Sequence, residues 1–253
     1  MARSQAMKPA RSEKTPTFRF LAVLLLPLMN VVAKFEIHHP EKVPASGAFV
    51  LAPNHFSEID PVVMGIAMWK MGRMPRYLAK ASLFKVPVVG MLLRRTGQIP
   101  VERAGTRGSD PLAAARKIAS DGLAVVVYPE GTLTRDPDLW PMRGKTGAVR
   151  IALEQGIPII PAAHWGTQLV MPRYAKRISL FPRKTIHIVF GDPVDLSAYL
   201  DRPLDSKTLA DATDDVMRAI TGLVEELRGE SAPLTRWDPA KNHQSETGRF
   251  DQP

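Results

Sequence analysis

The sequence predicts an α/β fold in which a mostly parallel sheet is flanked by helices and preceded by an apolar N-terminal segment. Strand-like and helix-like runs alternate through the middle of the chain, as in parallel sheets whose strands are joined by helices. The run 123–128 is apolar and β-branched without alternation, which is typical of a central strand covered on both faces. With 253 residues, 45% of them hydrophobic, the chain suits one domain with appendages or at most two small domains.

Each element has its own signal in the sequence. The strands are short apolar or alternating runs, expected at 35–39, 48–51, 76–80, 97–103, 123–128, 157–163 and 185–190. The helices are longer apolar or amphipathic runs, expected at 62–68, 82–95, 111–120, 145–155 and 206–228. Gly156 suits a helix C-cap. The prolines of 157–163 favour an edge position or an irregular ladder for that strand.

The two ends of the chain differ from the middle in composition. Residues 1–17 are basic and polar, which is typical of a disordered arm. The apolar run within 18–35 is shorter than the ~20 residues that span a bilayer, so we expect a membrane-interacting helix, with a core helix as the alternative. Residues 36–229 would form the main domain, and 230–253 would be a disordered tail.

The charge of the chain indicates an anionic partner. The formal net charge is +9 and the isoelectric point is near 9.9, which suits nucleic acid, an anionic lipid surface or phosphorylated ligands. No nucleic-acid module is recognised, and the aromatic residues are not clustered into a stacking platform. The absence of cysteine excludes disulfides, a cysteine nucleophile and thiolate metal sites.

His55 and Asp60 lie in the connection between the predicted strand 48–51 and helix 62–68. Five residues along an ideal helix would turn the two side chains roughly 140° apart, so a contact requires a turn. The aspartate would then bind one imidazole nitrogen and leave the other as a base. Asp60, followed by Pro61, also suits a helix N-cap, and a quiet loop histidine beside a capping aspartate is the alternative.

Four short blocks follow one another in this part of the chain. They are NHFSEID at 54–60, GQIPVER at 97–103, YPEGT at 128–132 and IPIIP at 157–161. In this order they resemble the N-H-x(4)-D, G-x-I-x-V-x-R, F-P-E-G-T and V-P-I-x-P blocks of the PlsC-like glycerolphosphate acyltransferases. Each block alone is of limited specificity, whereas all four in order at these separations are a strong signal.

The resemblance implies transfer of a fatty acyl group from acyl-CoA or acyl carrier protein to 1-acylglycerol 3-phosphate, giving phosphatidic acid. His55 would be the general base and Asp60 would orient it. Neither a G-x-S-x-G elbow nor a cysteine is present, which disfavours an acyl-enzyme. We expect a peripheral or monotopic protein at an anionic surface, the cytoplasmic side of the cell membrane. Acylation of glycerol 3-phosphate or a glycolipid, a hydrolase, and a non-catalytic basic lipid-surface binding protein are the alternatives.

Six residues of these blocks and their surroundings are expected to bind substrate. They are Arg103, Glu130, Gly131, Thr132, Arg135 and Lys145. Arg103 suits a phosphate because a guanidinium binds it bidentately. Glu130 would hold an acceptor hydroxyl or bond loop amides instead. Many family members carry arginine directly after E-G-T, where this chain has Leu133, so Arg135 is the expected substitute. Lys145 begins a helix, where a cation is mildly unfavourable unless an anion binds there.

The remaining candidates carry less chemistry. Lys80, Lys85 and Arg143 could face phosphate or coenzyme A. His164 is expected to have a core or gate role, whereas His38, His39, His187 and His243 are expected to be incidental polar residues. The basic run 173–184, with its interleaved apolar side chains, suits membrane contact. We expect no metal and no cofactor beyond the acyl thioester.

Overall fold

A seven-stranded sheet organises the residues that the computed structural model describes, which are 13–101 and 113–246. The strands are β1 (Ala33–His38), β2 (Phe49–Pro53), β3 (Arg76–Lys80), β4 (Ile99–Val101), β5 (Ala124–Val126), β6 (Ile159–Trp165) and β7 (Lys184–Phe190). Their order is β1-β7-β6-β2-β5-β3-β4, and every neighbouring pair is parallel except β6 and β7. The predicted mostly parallel sheet is confirmed.

Helices cover both faces of this sheet. They are α1 (Pro16–Val32), α2 (Asp60–Lys70), α3 (Pro87–Arg95), α4 (Ala113–Ser120), α5 (Gly147–Gln155), α6 (Thr167–Val170) and α7 (Ser206–Arg228). One core cluster lies between the sheet and α1 and α2, and a second lies between the sheet and α5 and α7. Because both faces are covered, all five residues of β2 and all three of β5 are buried, as their unbroken apolar sequence predicts.

The longest helix, α7, begins and ends where local sequence signals predict. The carboxylate of Asp205 accepts a hydrogen bond from the backbone N–H of Thr208 at 2.8 Å, which caps the first turn of α7. Gly229 ends the helix with φ of +66°, a left-handed conformation that glycine adopts without strain. Its apolar stripe, including Val216 and Ile220, is fully buried. The bounds match the predicted 206–228.

The strand β6 lies inside the sheet, between β2 and β7. Of the two possibilities that its prolines left open, an edge position or an irregular ladder, the edge position is wrong. Pro161 lacks an N–H, but its carbonyl accepts a hydrogen bond from Gly191 at 2.9 Å. The carbonyl of Pro158, just before the strand, accepts from Val50 at 2.9 Å. The carbonyl group of each proline therefore still accepts a hydrogen bond from a neighbouring segment, which allows β6 to lie inside the sheet.

The helix α1 is held at both ends. At its start, Glu13 binds Arg73 at 2.7 Å and Arg76 at 2.6 Å, and all three side chains are largely buried. At its end, the chain passes directly into β1 at Ala33. The helix therefore ends three residues before the end of the predicted range 18–35, and it begins two residues before the start of that range. Within the described residues, no helix combines the length and hydropathy needed to cross a membrane.

Residues 230–246 contact the domain built around the sheet, in contrast to the predicted disordered tail. The backbone N–H of Arg143 donates to the carbonyl of Trp237 at 2.9 Å, and the guanidinium of Arg143 pairs with Asp238 at 3.4 Å and with Glu246. Trp237 also donates its indole N–H to Gln244 at 2.8 Å. Polar composition predicted disorder here, but these acidic groups pair with a basic loop of the domain.

Candidate active site

The loop between β2 and α2 brings His55 and Asp60 into contact. The Nδ1 atom of His55 lies 2.9 Å from Oδ2 of Asp60. The same carboxylate oxygen accepts backbone N–H bonds from Phe56 at 2.6 Å and Ser57 at 2.8 Å. These bonds hold the loop in the turn that the five-residue spacing required. Asp60 therefore bonds backward to its own loop and does not cap α2, which begins after Ile59 without a side-chain cap.

Asp60 carries its charge although it is fully buried. Burial by itself would raise the pKa of its carboxyl group. The neighbouring His164, the hydrogen bond from His55 and the Ser57 amide outweigh burial and lower the pKa below its ordinary value. An ionised Asp60 fixes the proton of His55 on Nδ1, which leaves Nε2 as the nitrogen for a substrate hydroxyl.

His164 at the end of β6 lies behind this pair. Its Nε2 atom is 3.6 Å from Oδ2 of Asp60 and 3.1 Å from the carbonyl oxygen of Asn54, and its side chain is fully buried. Burial lowers the pKa of His164 in spite of the nearby Asp60. A neutral His164 can donate its Nε2 proton to the Asn54 carbonyl while placing the positive end of that N–H bond near Asp60.

Asn54 fixes the position of His164. Its side-chain amide donates to the carbonyl of His164 at 3.1 Å and accepts from the backbone N–H of His164 at 2.9 Å. These two bonds extend the pairing of β2 and β6 beyond the end of the ladder. The asparagine of the first block thus aligns the strand that carries the second histidine.

Glu130 is buried in the adjacent loop after β5 and bonds to two backbone amides. Its Oε1 accepts from the N–H of His55 at 2.9 Å, and its Oε2 accepts from the N–H of Met142 at 3.1 Å. Burial raises the pKa of Glu130 to about 8. Of the two roles left open by the sequence, the structure shows the bonding of loop amides.

A large cleft opens beside His55. Its volume is about 1460 Å³, above the roughly 300–1,000 Å³ of ordinary small-molecule pockets. The apolar part of its wall comes from α1, α2 and the 83–93 region, and includes Phe18, Leu21, Leu25, Val62, Ile66, Leu83, Leu92 and Leu93. Its polar end contains His55, Gly131, Thr132 and Lys145, beside Tyr128, whose ring stacks on His55 at 4.1 Å.

Three of the predicted substrate-binding residues line the cleft, namely Gly131, Thr132 and Lys145. Gly131 has φ of +71°, and a Cβ atom there would lie 2.9 Å from Cδ of Lys145, so glycine allows the lysine to cross the loop closely. The Nζ atom of Lys145 lies 3.3 Å from the carbonyl oxygen of Glu246. Lys80 also lines the cleft.

Arg135 does not lie on the cleft wall. It is buried, with its guanidinium bonded to the hydroxyl of Tyr174 and packed over the ring of that residue at 5.7 Å. Arg173 binds the carbonyls of Thr134 and, at 2.9 Å, Asp136 from the other side. Arg135 is thus part of the packing of this loop, and Tyr174 is the member of the pair that reaches the cleft. Arg103, the expected phosphate anchor, lies outside the described residues.

The sequence missed three contributors to the site. Asn54 stands next to the histidine of the first block, so its place in the motif was the available signal. The contact of His164 with Asp60 depends on β2 and β6 being neighbours, which no local pattern states. Tyr128 begins the third block, but its stacking on His55 requires β5 to lie on the other side of β2.

The fold and this site place the chain in a known class. It belongs to the acyltransferase family, whose model matches residues 34–165, from the start of β1 to the end of β6. The match includes all four blocks, and the resemblance to PlsC-like proteins is confirmed.

Particular relatives agree with this assignment. The chain is 27% identical over 210 residues to the 1-acyl-sn-glycerol-3-phosphate acyltransferase of Bacillus subtilis, covering 83% of this chain and 98% of that protein. It is 28% identical over 179 residues to the enzyme of that name from Haemophilus influenzae, covering 69% of each. It is 30% identical over 141 residues to a chloroplastic relative from Brassica napus, but covers only 39% of it. These named relatives are O-acyltransferases.

A solved structure shares the fold. The 1-acyl-sn-glycerophosphate acyltransferase PlsC from Thermotoga maritima superposes with a TM-score of 0.63 at 22% identity, covering 85% of this chain and 81% of that one.

Proposed function

We propose that this protein transfers a fatty acyl group from acyl-CoA or acyl carrier protein to the free hydroxyl of 1-acylglycerol 3-phosphate, forming phosphatidic acid. The observation that carries the proposal is the His55–Asp60 contact at the polar end of a large apolar cleft. The names of the relatives from Bacillus subtilis and Haemophilus influenzae support the choice of acceptor.

The reaction needs one base and no covalent acyl-enzyme. The Nε2 atom of His55 takes the hydroxyl proton as the acceptor oxygen attacks the thioester carbonyl, while Asp60 stabilises the imidazolium that forms. The tetrahedral intermediate then collapses, the carbon–sulfur bond breaks, and the imidazolium returns the proton to the departing thiolate. The products are the new ester and the free thiol.

The apolar wall suits an acceptor that carries an acyl chain, because side chains of α1 and α2 give the cleft an apolar surface that such a chain would cover. At the other end, Lys145 supplies a positive charge for the phosphate. Glycerol 3-phosphate and glycolipid acceptors are the alternatives that an acceptor screen separates from this proposal.

The test is an acceptor screen with purified protein and radiolabelled acyl-CoA. We expect labelled phosphatidic acid from 1-acylglycerol 3-phosphate, much less product from glycerol 3-phosphate, and loss of activity in His55→Ala. His243→Ala is the matched control, because His243 lies far along the chain in the tail. Full activity in His55→Ala would remove the histidine from the mechanism, and free fatty acid without ester would indicate a hydrolase.

We propose further that the protein works at the cytoplasmic side of the cell membrane as a peripheral or monotopic protein. On α1, one face lines the cleft, while the opposite face exposes Phe20, Val23, Leu24, Leu28 and Val31. Exposed side chains of 83–91 and of the basic run 173–184 extend the apolar surface, with Phe181 the most exposed of these at 78%. Basic residues beside such a surface favour anionic headgroups.

Vesicle flotation tests this placement. The double variant Val23→Glu, Leu28→Glu should bind vesicles containing anionic phospholipid more weakly than the wild type, because two charges would enter the apolar interface. Leu234→Glu changes another exposed apolar residue, outside this surface, and serves as control. Equal flotation of all three proteins would contradict the proposed contact through α1.

A further inference from the structure

A cluster of metal-binding side chains lies on the paired strands β1 and β7, apart from the cleft. Glu36 and His38 are two residues apart on β1, so both project from the same side of the strand. Glu36 is the register partner of His187 on β7. On the opposite side of β1, Phe35 and Ile37 pack against the core. The alternation of β1 therefore presents the cluster on the side facing away from that core.

The three side chains converge. One oxygen of Glu36 and one ring nitrogen from each histidine all lie within 4.8 Å of one another. The closest measured pair is His187 Nδ1 and Glu36 Oε2, at 3.2 Å. The imidazole rings of His38 and His187 are nearly parallel, with centroids 5.9 Å apart and 17° between the planes.

We propose that Glu36, His38 and His187 form a binding site for a divalent transition-metal ion, with Zn²⁺ as the first candidate. Two imidazoles and a carboxylate are a common zinc ligand set, completed by water. Bonds of about 2.0–2.2 Å at tetrahedral angles place donor atoms roughly 3.3–3.6 Å apart. At 3.2 Å the Glu36–His187 pair is about 0.1 Å short of this spacing. The three donor atoms, which lie within 4.8 Å of one another, would close on the ion by side-chain adjustment.

The surroundings keep one oxygen of Glu36 available. Its Oε1 pairs with Nζ of Lys34 at 2.7 Å, whereas its Oε2 faces His187. Glu36 and His187 remain about one-third exposed, which leaves room for water ligands. Lys34 is also a competing cation, because it binds the carboxylate that the metal would share.

The role of the ion would be structural. None of the three ligands lines the cleft. The ion would join β1 to β7 by bonds additional to their ladder, and β1 continues directly from the end of α1, which forms a wall of that cleft. Metal binding should therefore stabilise the fold by mass action without entering the reaction.

Calorimetric titration of the full chain tests the site, with any purification tag removed and the protein first stripped with a chelator. Zinc chloride is the probe. We expect one Zn²⁺ per chain and at least a tenfold loss of affinity in His187→Ala and in Glu36→Gln. His39→Asn is the matched control, because His39 is adjacent in sequence but outside the cluster, and asparagine tolerates its positive φ of 54°.

Removing the competing cation provides a second test. Lys34→Gln should bind Zn²⁺ more tightly than the wild type, by about threefold or more, because Glu36 no longer shares its charge with the ammonium group. Zinc should also raise the unfolding temperature of the wild type and leave that of the double variant His38→Ala, His187→Ala unchanged. The proposal is wrong if wild type and His187→Ala bind zinc equally, or if zinc shifts the unfolding temperature of both proteins alike.

Discussion

Asp60 and Glu130 are both fully buried and both bonded to His55, yet their surroundings drive their charges in opposite directions. Asp60 faces the side chains of two histidines and two amides, and its pKa is lowered although burial opposes this. Glu130 accepts hydrogen bonds from two backbone amides, and burial raises its pKa to about 8. The donors around a buried carboxyl group, more than its depth, decide whether it is charged.

The largest expected effect follows from removing the charge of Asp60. Asp60→Asn should lower kcat by roughly 10³–10⁴-fold, because the amide no longer fixes the His55 tautomer or stabilises the imidazolium. Acyl transfer at saturating substrates measures this. Asp201→Asn, an exposed aspartate, is the control. A loss below tenfold would mean that the charge of Asp60 is not used in the reaction.

Glu130 should contribute mainly to the stability of the fold. Glu130→Ala leaves the N–H groups of His55 and Met142 without their acceptor, which should cost about 2–5 kcal/mol in the free energy of unfolding. Glu130→Gln keeps one acceptor oxygen and should cost about half as much. Urea denaturation measures both. If Glu130→Ala is as stable as the wild type, the carboxyl group does not hold the two loops together.

His164 tests whether the group behind Asp60 supports its charge. His164→Leu removes the N–H that lies 3.6 Å from the carboxylate, and should lower kcat by about tenfold, or about 1.4 kcal/mol in the activation barrier. The acidic limb of the pH–activity profile of this variant should also shift to higher pH, because the pKa of Asp60 would rise. His164→Gln retains a donor and should lie closer to the wild type. Unchanged pH profiles in both variants would assign His164 to packing alone.

A further test is the slope of stability against pH. Native Glu130 keeps its proton up to about pH 8, whereas an ordinary glutamate releases it near 4.5. Between these values the native state binds the extra proton, so the contribution of Glu130 to stability is full below the window and declines as pH rises through it. The stability difference between wild type and Glu130→Gln should therefore shrink from pH 5 to pH 8. A constant difference would show that Glu130 ionises normally.

Local patterns predicted the sheet and singled out His55 and Asp60 as a pair. The unbroken run at 123–128 indicated a central strand, and a contact between His55 and Asp60 required a turn. Patterns within one segment could not state which strands are neighbours. For that reason the sequence left β6 open between an edge position and an irregular ladder, and the approach of His164 to Asp60 was not foreseen.

The sequence also did not predict the direction in which side chains of the loops point. Arg135 was expected to reach the substrate because it follows the E-G-T turn, but the loop turns it against Tyr174. Asp60 was expected to bind His55 and also suited a helix N-cap, but its carboxylate binds His55 and two loop amides and does not cap α2. In both cases several residues compete for one polar group, and only their three-dimensional positions decide the outcome.

The attachment of α1 at both ends has a mechanical consequence. Glu13 is bound to two arginines at one end of α1, and the chain enters β1 at the other end, so the helix is fixed at both ends. A helix that is fixed at both ends moves less readily than one that is attached at a single end. The apolar wall that α1 contributes to the cleft is therefore held in place from both of its ends.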